Sequence, residues 1–328
     1  MSGLKVLALF GQLKHSRIDN SQTEILANEL AKEGVLYKKE IFFNILINLP
    51  SFLLLFLPVW MLIKHMDDFR EIDECDVIVV SGKKMIRFAR HLRHYMFPAT
   101  KIVQIGNPVC RIRKNDILVR QATSRFLFNG NNVIKVNGLL CKKIADKTAE
   151  YYSQKFDKIR NILKGEYIGV FIGGNKHRYK LTTEDAENLG KVISKISYNM
   201  KMPLLVNLEG KNSPASVSVL KNNLDCSYYF YEKKNDNESP KVAFMHWAKY
   251  YILFENSIND QSEYIAQKKP TYIYLKNKNR KKYLSFVNGV IASGGARMLS
   301  SGTESLDFFV PECLNDIEKI ADKIKTML

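Results

Sequence analysis

The feature that most constrains how this chain folds is a rhythm: apolar runs of five to seven residues alternate with amphipathic stretches of ten to sixteen. Runs that short suit strands buried on both faces, and the stretches between them suit the helices that cover a parallel sheet. The class is therefore α/β. In the first half the strand-like runs fall at residues 5–10, 37–43, 77–80, 101–105, 116–119 and 133–136, with helices near 21–32 and 83–96. Around 151–164 a polar, lysine-rich helix with no long apolar run marks a domain join. Beyond it a strand at 167–172 opens into Gly173-Gly174, followed by helices at 183–198, 241–249 and 260–267 and strands at 203–207, 228–231, 251–254 and 271–275. A last amphipathic helix spans 314–328. A length of 328 residues suits two cores better than one. The expected plan is two Rossmann-like, doubly wound domains, 1–160 and 161–328, facing across a cleft, with the last helix free to pack back on the first domain. Sheets of this kind bind ligands beyond the carboxyl ends of their strands. No repeat with the period of a solenoid or propeller is present.

Hydrophobic residues make up 46% and charged residues 25% of the chain, which excludes wholesale disorder. Against 33 Asp+Glu stand 50 Lys+Arg, a net charge of +17 that favours anionic lipid, phosphorylated ligands or nucleic acid. The charge is concentrated: between Gly82 and Arg125 there are eleven basic residues and one acid, Asp116, a net of +10. Aromatic residues do not interleave with them for base stacking, so nucleic acid is not the expected partner. Five widely spaced cysteines without a C-x-x-C pair point to neither a disulfide framework nor a zinc knuckle and fit a reducing cytoplasm. The opening residues run straight into a strand-like segment, so a secretory signal is not expected.

Residues 41–63, IFFNILINLPSFLLLFLPVWMLI, are long enough to span a bilayer. Pro50, Pro58, Asn44, Asn48 and Ser51 interrupt them, and the two prolines remove amide donors from any spanning helix. Three readings fit: a spanning helix, a buried strand followed by a core helix, or an apolar lip that dips into the membrane interface with Trp60 at headgroup level. The lip is carried forward, with Phe52, Leu54, Leu57 and Trp60 as its apolar contacts and Lys83, Lys84 and Arg87 as a basic flank toward anionic lipid.

The best local signal for chemistry is Gly173-Gly174-Asn175-Lys176-His177, directly after the strand at 167–172. Paired glycines let a phosphate approach main-chain amides, and Lys176 and His177 add positive charge; a tight turn is the plainer alternative. The loop has neither the Walker ending nor the spaced glycines of a dinucleotide fingerprint, which argues against an NTPase or a dehydrogenase. Glu255-Asn256-Ser257, after the strand at 251–254, and Glu263 in the next helix form a second constellation. A carboxylate here suits both hydroxyls of a ribose, whereas Ser257 or Asn259 equally suits a helix cap. His15, in the loop after the first strand, carries an imidazole suited to removing a proton from an acceptor hydroxyl near neutral pH. His91 and His94 lack a carboxylate or cysteine partner, so no metal site is expected.

In this order the pieces resemble the mitochondrial-fission (elongated-mitochondria) family of bacterial and plant proteins, grouped with glycosyltransferases of the GT-B fold. Gly11 and His15 match its Gly-x-x-Gly-His, with Lys14 at the second glycine. Gln104-Ile105-Gly106-Asn107-Pro108 is similar to its Gln-x-x-Asp-Pro, with Asn107 for the acid, and the loop from Gly173 to His177 is similar to its Gly-Gly-Pro-Asn-Lys-His, one residue short. Glu255-Asn256-Ser257, Ser262-Glu263, Lys269-Pro270 and Gly295-Ala296-Arg297 track its Glu-Asp-Ser, Ser-Glu, Lys-Pro and Gly-Ala-Arg positions. The resemblance implies sugar transfer, without metal or cofactor, from a nucleotide-sugar to a lipid-linked or lipopolysaccharide acceptor of the cell envelope. It also implies a cytoplasmic protein held peripherally on the inner face of the membrane. In that reading Gly173, Gly174, Asn175, Lys176, His177, Lys211, Glu255, Asn256, Ser257 and Glu263 hold the donor, and His15 is the catalytic base. The family's Ser-x-Arg-Arg-Thr-Pro stands here as Glu209-Gly210-Lys211-Asn212-Ser213-Pro214, so two arginines expected near the donor phosphates are missing. Lys211 replaces them only as a point charge. That loss keeps open an alternative, also implied by plant members: a non-catalytic GT-B scaffold that recruits a partner protein to a membrane.

Overall fold

The computed structural model describes residues 3–12, 17–49, 57–82, 84–107, 113, 116–123, 130–173, 181–210, 212–232, 238–254, 256–276, 281–312 and 315–328. The chain divides into two units, Met1–Cys141 joined by Asn315–Leu328, and Lys142–Leu314.

In the first unit β1 (Lys5–Gln12), β2 (Val35–Phe43), β3 (Ile63–Met66), β4 (Val77–Ser81), β5 (Lys101–Ile105), β6 (Asp116–Gln121) and β7 (Val133–Val136) form a sheet in the order β3-β2-β1-β4-β5-β6-β7. All neighbours pair parallel except β3, which closes the edge antiparallel to β2. The helix Arg17–Leu30 packs Leu26, Ala27 and Leu30 on one face against Val6, Ala8 and Val79. The helix Met85–Tyr95 packs Ile86, Phe88 and Leu92 on the other against Leu7, Leu9 and Ile78. Burial on both faces explains why these strands read as continuous apolar runs rather than as alternation.

The last helix, Ile317–Lys325, completes this unit. Asp316 caps it by accepting from the Lys319 amide at 3.1 Å, and Ile317, Ile320, Ala321 and Ile324 make one apolar stripe. That stripe joins the core under the helix Arg17–Leu30. Asn315 stitches the returning chain to the end of the sheet: its carbonyl accepts from the Asn137 amide at 3.0 Å and its amide donates to Leu139 at 2.9 Å.

In the second unit β8 (Tyr167–Ile172), β9 (Leu204–Leu208), β10 (Tyr228–Glu232), β11 (Ala248–Phe254), β12 (Thr271–Tyr274) and β13 (Arg297–Leu299) form an all-parallel sheet in the order β10-β9-β8-β11-β12-β13. This is the doubly wound Rossmann order, and it reverses between β8 and β11. Helices Thr183–Met200 and Pro214–Asn222 cover one face, and Lys241–Trp247, Ile258–Ile265 and Lys281–Ala292 cover the other.

Several details differ from the sequence expectation. The join lies after Cys141 rather than near 160, because helices Asp146–Lys155 and Asp157–Ile162 pack on the second unit. Ile159 and Leu163 enter its core beside Phe244, and the Ile144 amide donates to Gln267 at 3.0 Å. The apolar run 41–63 forms no long helix among the described residues. Its start finishes β2, two single-turn 3-10 helices follow at Ile45–Asn48 and Val59–Leu62, and β3 carries the chain back. No helix of the described residues is long and apolar enough to cross a membrane. The helices Pro214–Asn222 and Lys281–Ala292 and the strands β3 and β13 also have no counterpart in the sequence expectation.

Candidate functional site

Where the strand order reverses, the ends of β8 and β11 lie side by side. The Gly173 amide donates to the Phe254 carbonyl at 2.9 Å, and the Glu209 amide, just past β9, donates to the Ile172 carbonyl at 3.0 Å. The chains leaving β8, β9 and β11 therefore emerge from one edge. Gly173 is buried and its own N–H belongs to this ladder, so it is not among the amides left for an anion. Gly174, Asn175, Lys176, His177, Lys211 and Glu255 lie outside the described residues.

Around that edge a charged cluster forms from three separate crossovers. Lys241, at the start of the helix Lys241–Trp247, places its ammonium 2.8 Å from Glu263, 3.8 Å from Glu209 and 4.8 Å above the Tyr264 ring. Burial by itself pulls the Lys241 pKa down, but the charges of Glu263 and Glu209 outweigh it and leave the ammonium more firmly protonated than an ordinary lysine. Buried Asn207 on β9 links the parts: it donates to Glu209 at 3.3 Å and accepts from Ser239 at 3.3 Å. Ser239 in turn accepts from the Lys241 amide at 3.2 Å. Glu263 keeps 41% side-chain exposure, and its second oxygen has no partner among the described residues.

Just after β11 and along the helix Ile258–Ile265, three buried polar atoms meet no hydrogen-bond partner among the described residues: Asn256 Oδ1, Gln261 Oε1 and the Tyr264 hydroxyl. Each costs about 1–3 kcal/mol when left unsatisfied, which marks the spot as one where a ligand has something to offer. Burial, followed by the charges of Glu209, Asp260 and Glu263, pushes the Tyr264 phenol well above its ordinary value, so it remains a donor.

Ser257 takes the other of its two readings. Its hydroxyl accepts from the Asp260 amide at 3.2 Å and donates to the Asp260 carboxylate at 2.5 Å, which caps the helix Ile258–Ile265. Lys269 is likewise structural: its ammonium donates to the carbonyls of Met245, His246 and Ala248, closing the end of the helix Lys241–Trp247. Sequence reasoning named Glu263 but missed Lys241 and the role of Glu209. They lie 22 and 54 residues from Glu263, and only the strand order joins them. A usable signal existed in Ser239-Pro240-Lys241, a helix start one crossover before the Glu263 helix.

In the first unit His15 and Lys83 lie outside the described residues, as do Phe52 and Leu54. The chain entering the His15 loop is pinned by a reciprocal pair between Gly11 and Asn20 at 3.1 and 3.2 Å. A Cβ on Gly11 would lie 2.8 Å from the Met85 sulfur, so a larger residue there requires the Met85 side chain to shift. Trp60 is 69% exposed, with Ile45 and Met61 exposed beside it on the two short turns, over a small core of Ile47 and Leu62. Lys84 and Arg87 do not flank this lip as free cations. Lys84 donates to the Ile47 carbonyl and Arg87 to the Leu57 carbonyl at 2.8 Å, so both brace its backbone from behind. Burial lowers the Lys84 pKa accordingly.

Among the described residues no group of three or more His, Cys, Asp or Glu is placed to hold a metal ion.

The comparisons with known proteins agree with this architecture. A solved structure of UDP-GlcNAc 2-epimerase from Methanocaldococcus jannaschii shares the fold, with a TM-score of 0.50 and 12% identity, covering 98% of this chain and 100% of that one. An uncharacterized protein of Rickettsia prowazekii (strain Madrid E) is 26% identical over 317 residues, covering 87% of this chain and 89% of the relative. The model of the family described as mitochondrial fission ELM1 matches residues 19–328. The chain belongs to that family.

Proposed function

We propose that the protein is a glycosyltransferase whose second unit holds a nucleotide-sugar at the carboxyl ends of β8 and β11 and passes the sugar to a membrane-associated acceptor. The observation that carries this reading is the meeting of Glu263, Lys241 and three unpartnered buried polar atoms at the strand-order reversal, where doubly wound sheets take nucleotides. One solved structure that shares the fold is a UDP-GlcNAc 2-epimerase, which makes UDP-sugars the first donors to try.

In this reading Glu263 accepts the ribose hydroxyls on the oxygen that Lys241 leaves open, and Lys241 keeps the carboxylate aimed. Amides of the loop beyond Gly173, with Lys176, take the diphosphate. The bond from the anomeric carbon to the diphosphate oxygen then breaks onto a leaving group stabilised by fixed dipoles rather than by a metal. The acceptor oxygen forms the new bond and its proton passes to His15. The lip around Leu57 and Trp60 sits in the inner face of the membrane, where a lipid-linked or lipopolysaccharide acceptor waits.

One observation favours the scaffold alternative. Glu209 puts a carboxylate at the position that opens the family's arginine-bearing run, and it faces the same lysine as Glu263. Calorimetric titration with UDP-, GDP- and CMP-sugars separates the two. Binding with transfer or hydrolysis supports the enzyme, binding with neither supports the scaffold, and a folded protein that binds none of them contradicts both the donor site and the transferase.

A further inference from the structure

The basic first unit hides one cation where none is expected. On β6 alternate residues point the same way, and Asp116 shows which way: it accepts from Arg93 at 2.5 Å and from Arg90 at 3.1 Å, both on the helix Met85–Tyr95. Ile117 and Val119 enter the opposite core. Arg120 therefore points to the helix Met85–Tyr95 side, at the carboxyl end of β6, and it is only 3% exposed. Its Nε and Nη1 have no hydrogen-bond partner among the described residues, and neither has the Thr123 hydroxyl three residues on.

Among the described residues no carboxylate pairs with it. Between Asp76 and Asp146 the sequence contains a single acid, Asp116, and that one is committed to Arg90 and Arg93. A guanidinium cannot shed its proton to escape burial, so an uncompensated one is a standing cost that an apolar residue of the same size would remove. The position has a second property. The helix Met85–Tyr95 follows β4 and runs back across the sheet, so its positive N-terminal end lies at the same carboxyl edge as Arg120.

We propose that Arg120 anchors an oxyanion site in the first unit, and that its ligand is the phosphoryl group of a phosphomonoester or of inorganic phosphate. Two positive features at one edge, a guanidinium and a helix N-terminus, suit a dianion better than a single carboxylate. Arg120 is only 3% exposed, so the face of an intact bilayer does not reach it and its ligand is a compact one. The proposal concerns residues of the first unit alone and does not rest on the reading of the second.

The test uses the full chain as wild type, Arg120→Met and Arg120→Lys. Thermal unfolding and calorimetry are run with inorganic phosphate, with short-chain phosphatidic acid below its micelle concentration, and with sodium chloride at matched ionic strength. The expected result is a Tm rise and a binding isotherm for wild type with a phosphoryl ligand but not with chloride. Response to phosphate identifies a soluble source, and response to phosphatidic acid alone a lipid-borne one. Arg120→Met loses the response while its ligand-free Tm stays level or rises, and Arg120→Lys weakens binding by about tenfold or more. UDP-sugar binding, if present, is unchanged in both variants. Should Arg120→Met not fold, phosphate-dependent slowing of amide exchange at residues 116–123 of the wild type gives the same answer. A phosphate response undiminished in Arg120→Met, or a wild type indifferent to every phosphoryl ligand at millimolar concentration, overturns the proposal.

Discussion

Lys241 is a single ammonium shared between two carboxylates and an aromatic face. Replacing Glu263 by Gln keeps the shape but removes the charge that a ribose diol would use. Hydrogen bonds to charged groups are worth about 1.5–3 kcal/mol, so nucleotide affinity measured by calorimetry falls roughly ten- to a hundredfold. Two half-buried lysines of this unit titrate in opposite senses. Lys241 has a raised pKa, so its stabilising pair is intact below the ordinary lysine value of 10.5 and is lost only as pH climbs through the higher folded value. Lys269 is pushed down to about 8, first by burial and then by Lys143. Its folded form gives up a proton before the unfolded chain does, so stability rises between about pH 8 and 10.5. Urea midpoints across that window show the rise in wild type, and Lys269→Met lacks that component. Of these residues Glu263 was legible in the sequence, because a carboxylate six residues after Ser257 fits a known pattern. Lys241 was legible only as the start of a helix after Ser239-Pro240, and nothing local tied it to Glu263.

At the level of elements, legibility followed burial. Every strand covered on both faces was readable as an apolar run, whereas β3 and β13 are four and three residues long, too short to set up a period. The helix Pro214–Asn222 did announce itself, with Ser213 as N-cap and Pro214 in the first turn, but the same residues were spent on a motif comparison. The segment 41–63 was ambiguous for a physical reason: a fully apolar run carries no period to tell strand, helix or turn apart. Its described parts predict a membrane-facing role for side chains rather than cations. Trp60→Ser and Leu57→Ser together reduce co-sedimentation with anionic vesicles, while unchanged sedimentation rules the lip out. The opposite end of the helix Met85–Tyr95 gives a stability test. Asp116→Asn leaves Arg90 and Arg93 buried without their counter-charge, and the loss is about 3–5 kcal/mol by denaturant unfolding.

On the scale of the whole molecule, the chain begins and ends in the same unit. The sequence placed two Rossmann-like folds correctly, but it could not weigh the pull of helices Asp146–Lys155 and Asp157–Ile162 toward the second core, because their apolar contacts come from residues a hundred positions away. The returning helix is a separable determinant. Ile324 is fully buried against the helix Arg17–Leu30, so Ile324→Ala costs the first unit about 2–5 kcal/mol. Amide exchange should quicken in β1 and β4 to β7 and stay unchanged in β8 to β12; equal quickening in both sheets contradicts the division into units. The central claim concerns the second unit alone, and calorimetric titration of a UDP-sugar into wild type and Glu263→Gln tests it most directly. Saturable binding by wild type that weakens in Glu263→Gln is the predicted result, and equal binding by both proteins, or none by either while both remain folded, contradicts it.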